Sequence, residues 1–150
     1  MIYYGDEIAM PGGNDPDNRR DFPGGWREDP RNAFERHGRR PAEQAVFDHV
    51  RRLTHLRARL APLRCGSMQQ LAAGARIYAY ARVTGTSTVL VAFNTGNEKS
   101  SLSIQTASLR IPENQLLHDE LGVAPDAQAN GGRLTVELPA HSAAVYAITQ

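Results

Sequence analysis

The rhythm of apolar and polar positions changes abruptly near residue 66. Downstream of it the period is two, the signature of half-buried strands. Candidate strands are Ser67–Leu71, Arg76–Val83, Thr88–Asn94, Ser100–Gln105, Gln115–Leu117, Arg133–Leu138 and Ala143–Thr149. Val89 to Phe93 is almost wholly apolar and reads as a central strand. Thr84-Gly85, Asn94–Asn97 and Asn130-Gly131-Gly132 supply turns, the last with the composition of a hairpin loop. Short strands separated by regular turn signals predict an antiparallel β-sandwich.

Upstream of residue 66 the pattern is different. Val46, Phe47, Val50, Leu53, Leu56 and Leu60 recur at three- and four-residue spacing, which predicts one amphipathic helix over 41–60. Pro41 suits its first turn, the acids fall early, the arginines late, and Pro62 stops it. Residues 11–31 carry too many Pro and Gly residues for a regular element. A short helical turn is expected around Asn32–Arg36. Residues 1–5, MIYYG, have the content of a short strand that runs into this loop. The fold class is therefore mainly β: a C-terminal antiparallel β-sandwich preceded by a strand, a loop and a helix, with the boundary near Ala61–Gly66.

Composition narrows the functional classes. A length of 150 residues allows one good core plus an appendage. The 17 basic residues against 16 acidic ones give a net charge of +1, so nucleic acid is not the expected partner. No apolar run approaches the roughly 20 residues that span a bilayer, and no signal-peptide pattern opens the chain. Cys65 is alone, which excludes an intrachain disulfide and fits a reducing compartment such as the cytoplasm.

Candidate chemistry concentrates in residues 2–26. Asp6, Glu7, Asp15, Asp17 and Asp21 invite a reading as paired catalytic carboxylates, but acids in such loops more often cap turns. The Asp15-Pro16-Asp17 run hints at calcium yet lacks the acidic ladder of a calcium loop. Asp15 and Arg19, four apart, have two readings. They either grip vicinal hydroxyls as acceptor and donor, or close an internal ion pair, and spacing alone favours the second. Trp26 and Phe22 offer ring faces for a sugar, with anchoring of the loop as the simpler reading. His49 and His55 are six apart and make no same-face metal pair, Ser67, Ser142 and His141 lack a nucleophile context, and Tyr78 and Tyr80 read as sheet packing. No phosphate-binding loop, metal or cofactor is expected.

The opening run itself carries a resemblance. IYYGDEIAM followed by GGNDPDNRR resembles the end of the catalytic barrel in the alpha-amylase superfamily of glycoside hydrolases, within its neopullulanase, cyclomaltodextrinase and maltogenic amylase branch. RRLTHLRARLAPLRCGS is similar to the last barrel helix and its exit, and residues 66–150, ending LPAHSAAVYAI, resemble the family's domain C. The resemblance implies that residues 1–64 correspond to the last strand, substrate loop and last helix of a (β/α)8 barrel, and 65–150 to a domain C sandwich. It also implies that Asp15 and Arg19, matching the family's Asp-Pro-x-x-Arg pattern, bind a glucose unit, which reverses the preference for a purely structural pair. Trp26 is the third expected sugar ligand. The family's nucleophile, acid/base and stabilising carboxylates would all precede residue 1, so no catalytic residue is assigned and the 150 residues alone are expected to be inactive. The expected partners are an alpha-glucan or maltooligosaccharide and a second copy, which would cover the N-terminal strand and helix.

Overall fold

The structure, a computed structural model, describes residues 1–149. It divides into two compact units, Met1–His55 and Leu56–Gln150. The second unit holds two four-stranded sheets that are antiparallel throughout. The first contains β1 (Ser67–Ala73), β2 (Ile77–Val83), β3 (Ser87–Asn94) and β8 (Ser142–Thr149) in the order β1-β2-β3-β8. The second contains β4 (Ser100–Gln105), β5 (Leu116–Leu117), β6 (Ala127–Asn130) and β7 (Arg133–Leu138) in the order β4-β7-β6-β5.

The core between the sheets follows from the two-residue period. Ala79 and Ala81 of β2, Leu90 and Ala92 of β3, and Tyr146 and Ile148 of β8 share a buried cluster with Ile104, Ala129, Leu134, Val136 and Leu138. Tyr146 is fully buried and donates its hydroxyl to the Pro125 carbonyl at 2.8 Å. Burial, with Asp119 and Asp126 nearby, pushes its phenol up to about 12. The other face of β3 is covered as well. Val89 and Val91 pack with Leu56, Leu121 and Val145, flanked by Leu60 and Leu63. Burial on both faces explains why Val89–Phe93 is almost continuously apolar. Tyr78, Tyr80 and Phe93 form a ring series on this sheet, with centroids 5.9 and 6.3 Å apart. That is the packing role their alternation predicts.

The hairpin between β6 and β7 turns on Gly131 and Gly132, both at positive φ (58° and 73°), between the paired Asn130 and Arg133. This is the geometry that a two-residue hairpin loop demands and that glycine supplies without strain. β6 itself has no counterpart among the expected strands. Asn94 is 1% exposed and donates its amide to the carbonyls of Glu98, Leu138 and Pro139, which fastens the end of β3.

The first unit contains the start of helix α1 (Pro41–Arg59), which ends one residue earlier than expected; α2 (Ala61–Cys65) follows it in the second unit. Of the apolar positions that predict α1, Leu56 is buried, Val46, Phe47 and Val50 are half-buried, and Leu53 is exposed. The unit is tied together by charge. Glu43, 7% exposed, accepts two hydrogen bonds from Arg31 at 2.7 and 2.9 Å and one from the Arg40 N–H at 2.8 Å. Arg39 lies 3.8 Å over the Phe47 ring and donates to the carbonyls of Ala33 and Phe34. Gly38 passes so close to Asn32 that a Cβ would collide with the Asn32 carbonyl.

Two expectations are corrected here. Residues 1–5 form no strand: Asp6 instead draws the chain into a turn, its N–H on the Tyr3 carbonyl and its carboxylate on the Tyr3 N–H. A strand needs a ladder partner, and among the described residues none pairs with Ile2–Tyr4. The helical turn falls at Arg36–Gly38, after a turn at Ala33–Phe34 closed by the Glu35 N–H on the Asn32 carbonyl and a bend at Glu35.

Candidate functional site

The loop of residues 2–26 is a chain of tight turns with a few fixed points. Ile8 is its buried anchor, at 1% exposure. Asp17 N–H bonds to the Asn14 carbonyl and Arg19 N–H to the Pro16 carbonyl, which closes a single helical turn over Asp17–Arg19. Asp17 then accepts both Nε and Nη2 of Arg20, at 2.8 and 2.6 Å, and the Tyr4 hydroxyl donates to the Arg20 carbonyl at 3.2 Å. These contacts set the loop's frame.

The side chains of Asp15 and Arg19 stand outside that frame. Arg19 Nη2 lies 2.8 Å from Asp15 Oδ1, and the two side chains are 74% and 64% exposed for Arg19 and Asp15 respectively. An ion pair this exposed is worth about 0–1 kcal/mol, so it is a minor contributor to holding the loop. What it does provide is an acceptor and a set of donors side by side, facing water. A concavity of about 210 Å³ in the same loop is lined by Tyr3, Tyr4, Asp6, Met10, Gly13 and Asn18 among others, and neither Asp15 nor Arg19 lines it.

Trp26 belongs to a separate turn. Asp29 accepts the backbone N–H groups of Trp26 at 3.0 Å and Gly24 at 2.7 Å. Those two bonds, Trp26 first, hold the Asp29 carboxyl below the usual carboxylate range. The Trp26 side chain is open to solvent, with the residue 65% exposed, while Phe22 packs on Phe34 with ring centroids 4.5 Å apart. Phe22 is thus the anchor of the two aromatics and Trp26 presents a free ring face. The structure brings Asp15 and Arg19 together; it places Trp26 on a different turn of the same loop.

Asp6 and Asp17 are spent on turn hydrogen bonds. No cluster of three His, Cys, Asp or Glu side chains fit to hold a metal is found among the described residues. No helix among them is long and apolar enough to cross a membrane. Asp29 positions the Trp26 turn and was left unnoticed by the sequence pattern, as was the Arg31–Glu43 pair that ties residues 31–43 together, where Glu43 reads from spacing only as part of the polar helix face. The available signal for the first was a Gly-Gly turn followed by an acid. For the other two, no local signal exists.

Comparison with known proteins gives consistent neighbours. A cyclomaltodextrinase of Geobacillus thermopakistaniensis (strain MAS1) is 34% identical over 103 residues, 67% of this chain and 15% of that enzyme. Neopullulanase 2 of Thermoactinomyces vulgaris is 36% identical over 115 residues, 75% of this chain and 17% of that enzyme. The crystal structure of an alpha-amylase from Geobacillus thermoleovorans, complexed with acarbose, superposes with a TM-score of 0.76 at 25% identity, covering 99% of this chain and 29% of that one. The chain therefore spans less than a third of the length of each of these three proteins. No family model matches it.

Proposed function

Because this chain belongs to the alpha-amylase family of glycoside hydrolases, we propose that it is the C-terminal part of an alpha-glucan hydrolase acting on alpha-1,4-glycosidic bonds. In this reading residues 1–64 complete the catalytic barrel and residues 65–150 are the β-sandwich that follows it. Relatives named as a cyclomaltodextrinase and a neopullulanase support an alpha-glucan as the substrate class. The role of the chain is binding: Asp15 and Arg19 hold a glucose unit through its vicinal hydroxyls, and Trp26 offers a ring face to the sugar.

The observation that carries the reading is the exposed Asp15–Arg19 side-chain pair at 2.8 Å on a loop whose frame is built by other side chains and by backbone turns. A carboxylate and a guanidinium in register accept from one hydroxyl and donate to the next, and both bonds are charge-assisted. The pair moves no proton and attacks no bond. Hydrolysis in this class needs two carboxyl groups about 5–5.5 Å or 6.5–9.5 Å apart across the scissile bond. Asp6 and Asp17 are already committed to backbone or Arg20. A polypeptide of these 150 residues is accordingly expected to release no reducing ends from maltodextrin. Turnover that disappears in an Asp15→Ala variant would overturn that expectation.

A further inference from the structure

The inner face of the first sheet is apolar except at one end. Residues directly opposite in an antiparallel pair share a face, and side chains alternate along a strand. Leu90 and Ala92 of β3 face the other sheet, so Thr88 does too. Its partner on β2 is Val83, and Val83 in turn pairs with Ser67 of β1, while Gln69 pairs with Ala81. Ser67, Gln69 and Thr88 therefore fall on the face that elsewhere carries alanine, leucine and tyrosine. Together with Ser108, Leu109 and Arg110 of the connection after β4, they line a cleft of about 290 Å³.

Thr88 is the informative residue. It is 1% exposed, and its Oγ1 is buried without a hydrogen-bond partner among the described residues. A hydroxyl in that state destabilises the fold unless something else occupies it. The cleft's other groups complement it. No carboxylate lines the cleft, and the Arg110 guanidinium makes no hydrogen bond or ion pair among the described residues. The hydroxyls of Ser67 and Ser108 already donate to the carbonyls of Val83 and Gln105. What remains is a cation and an unused buried hydroxyl, with Gln69 at the rim.

We propose that this cleft is a binding site for a small oxyanion, a carboxylate or a phosphate group, held by Arg110 and by a hydrogen bond from Thr88 Oγ1. The charge favours an anion over a neutral polyol, because a hydrogen bond from a guanidinium to an ionised acceptor is about twice as strong as one between neutral groups. The site lies within the second unit and is separate from the Asp15–Arg19 loop.

The test uses the full chain, with two-dimensional amide NMR at constant ionic strength and two probes, acetate and inorganic phosphate. Saturable shifts centred on Thr88 and Ser108–Arg110 are expected with one or both, and the better probe identifies the anion class. Arg110→Gln should weaken that binding about tenfold, and Thr88→Val about fivefold. Absence of a saturable response to both probes, or a response unchanged in Arg110→Gln, overturns the assignment. Thr88→Val also separates a ligand group from a structural one. In anion-free buffer the variant should melt no lower than the parent chain, because it removes an unpartnered hydroxyl. A lower melting temperature would show that Thr88 already has its partner within the fold, and would also overturn the site.

Discussion

An Asp119→Ala chain is expected to lose about 3–5 kcal/mol of stability, through backbone groups rather than apolar contact. Asp119 Oδ1 accepts the N–H groups of Leu121 at 3.1 Å and Val145 at 2.8 Å, and Oδ2 those of Val123 at 2.8 Å and Ala124 at 2.9 Å. Leu121 and Val145 are 4% and 5% exposed, so water cannot readily replace the carboxylate there. Each of those two donors costs about 1–3 kcal/mol when left unsatisfied, and the more exposed pair adds less. The loss is concentrated where residues 119–124 join β8, next to the isolated bridge between Asp119 and Tyr146. For a unit of this size it corresponds to a fall of about 15 °C in melting temperature, measurable by circular dichroism. Asp119→Asn keeps one acceptor oxygen and should lose about half as much. A change under about 1 kcal/mol in Asp119→Ala would show that the segment does not depend on this carboxylate.

Glu43→Ala should be nearly as costly, but to the first unit. The Arg31–Glu43 pair is bidentate, and its side chains are 24% and 9% exposed. Removing the acid strands a half-buried guanidinium and the Arg40 N–H, at a cost of about 3 kcal/mol. Desolvation pushes the Glu43 carboxyl up, but the Arg40 N–H and Arg31 outweigh it and the net position is below the ordinary carboxylate range. A carboxyl lowered on folding contributes stability above its unfolded pKa, and that stability is lost as pH falls through the folded pKa. Hydrogen exchange over residues 31–43 should therefore accelerate in Glu43→Ala at neutral pH. In the parent chain the same acceleration should appear only below the ordinary glutamate range. Glu43→Gln, which cannot ionise, should flatten that pH dependence. If exchange in Glu43→Ala matched the parent chain at neutral pH, the ion pair would be ornamental.

These two carboxylates mark where a reading of the sequence stops. The sandwich was legible because burial on one face writes a period of two, and on both faces writes Val89–Phe93. β6 was not, since Ala127–Asn130 is small and weakly β-forming and exists through its pairing of Ala129 with Leu134. Residues 1–5 failed in the other direction: aromatic and β-branched content was present, but the ladder partner that makes it a strand was not. The Asp15–Arg19 pair could be foreseen from a spacing of four. Arg31 and Glu43, separated by twelve residues across irregular chain, could not. The free face of Trp26 was likewise decided by Asp29 and by the packing of Phe22 on Phe34, neither of which has a periodic signature.

In the proposed function Asp15 and Arg19 are sugar ligands and not merely a loop contact. Titrating the chain with maltotriose while following amide shifts tests it most directly, since a structural pair and a ligand pair differ in their response. Saturable shifts over residues 13–20 are expected, weakened about tenfold by Asp15→Ala and by Arg19→Ala, with melting temperatures of both variants within a few degrees of the parent chain. Shifts that fail to saturate, or that persist unchanged when Asp15 is removed, would contradict it.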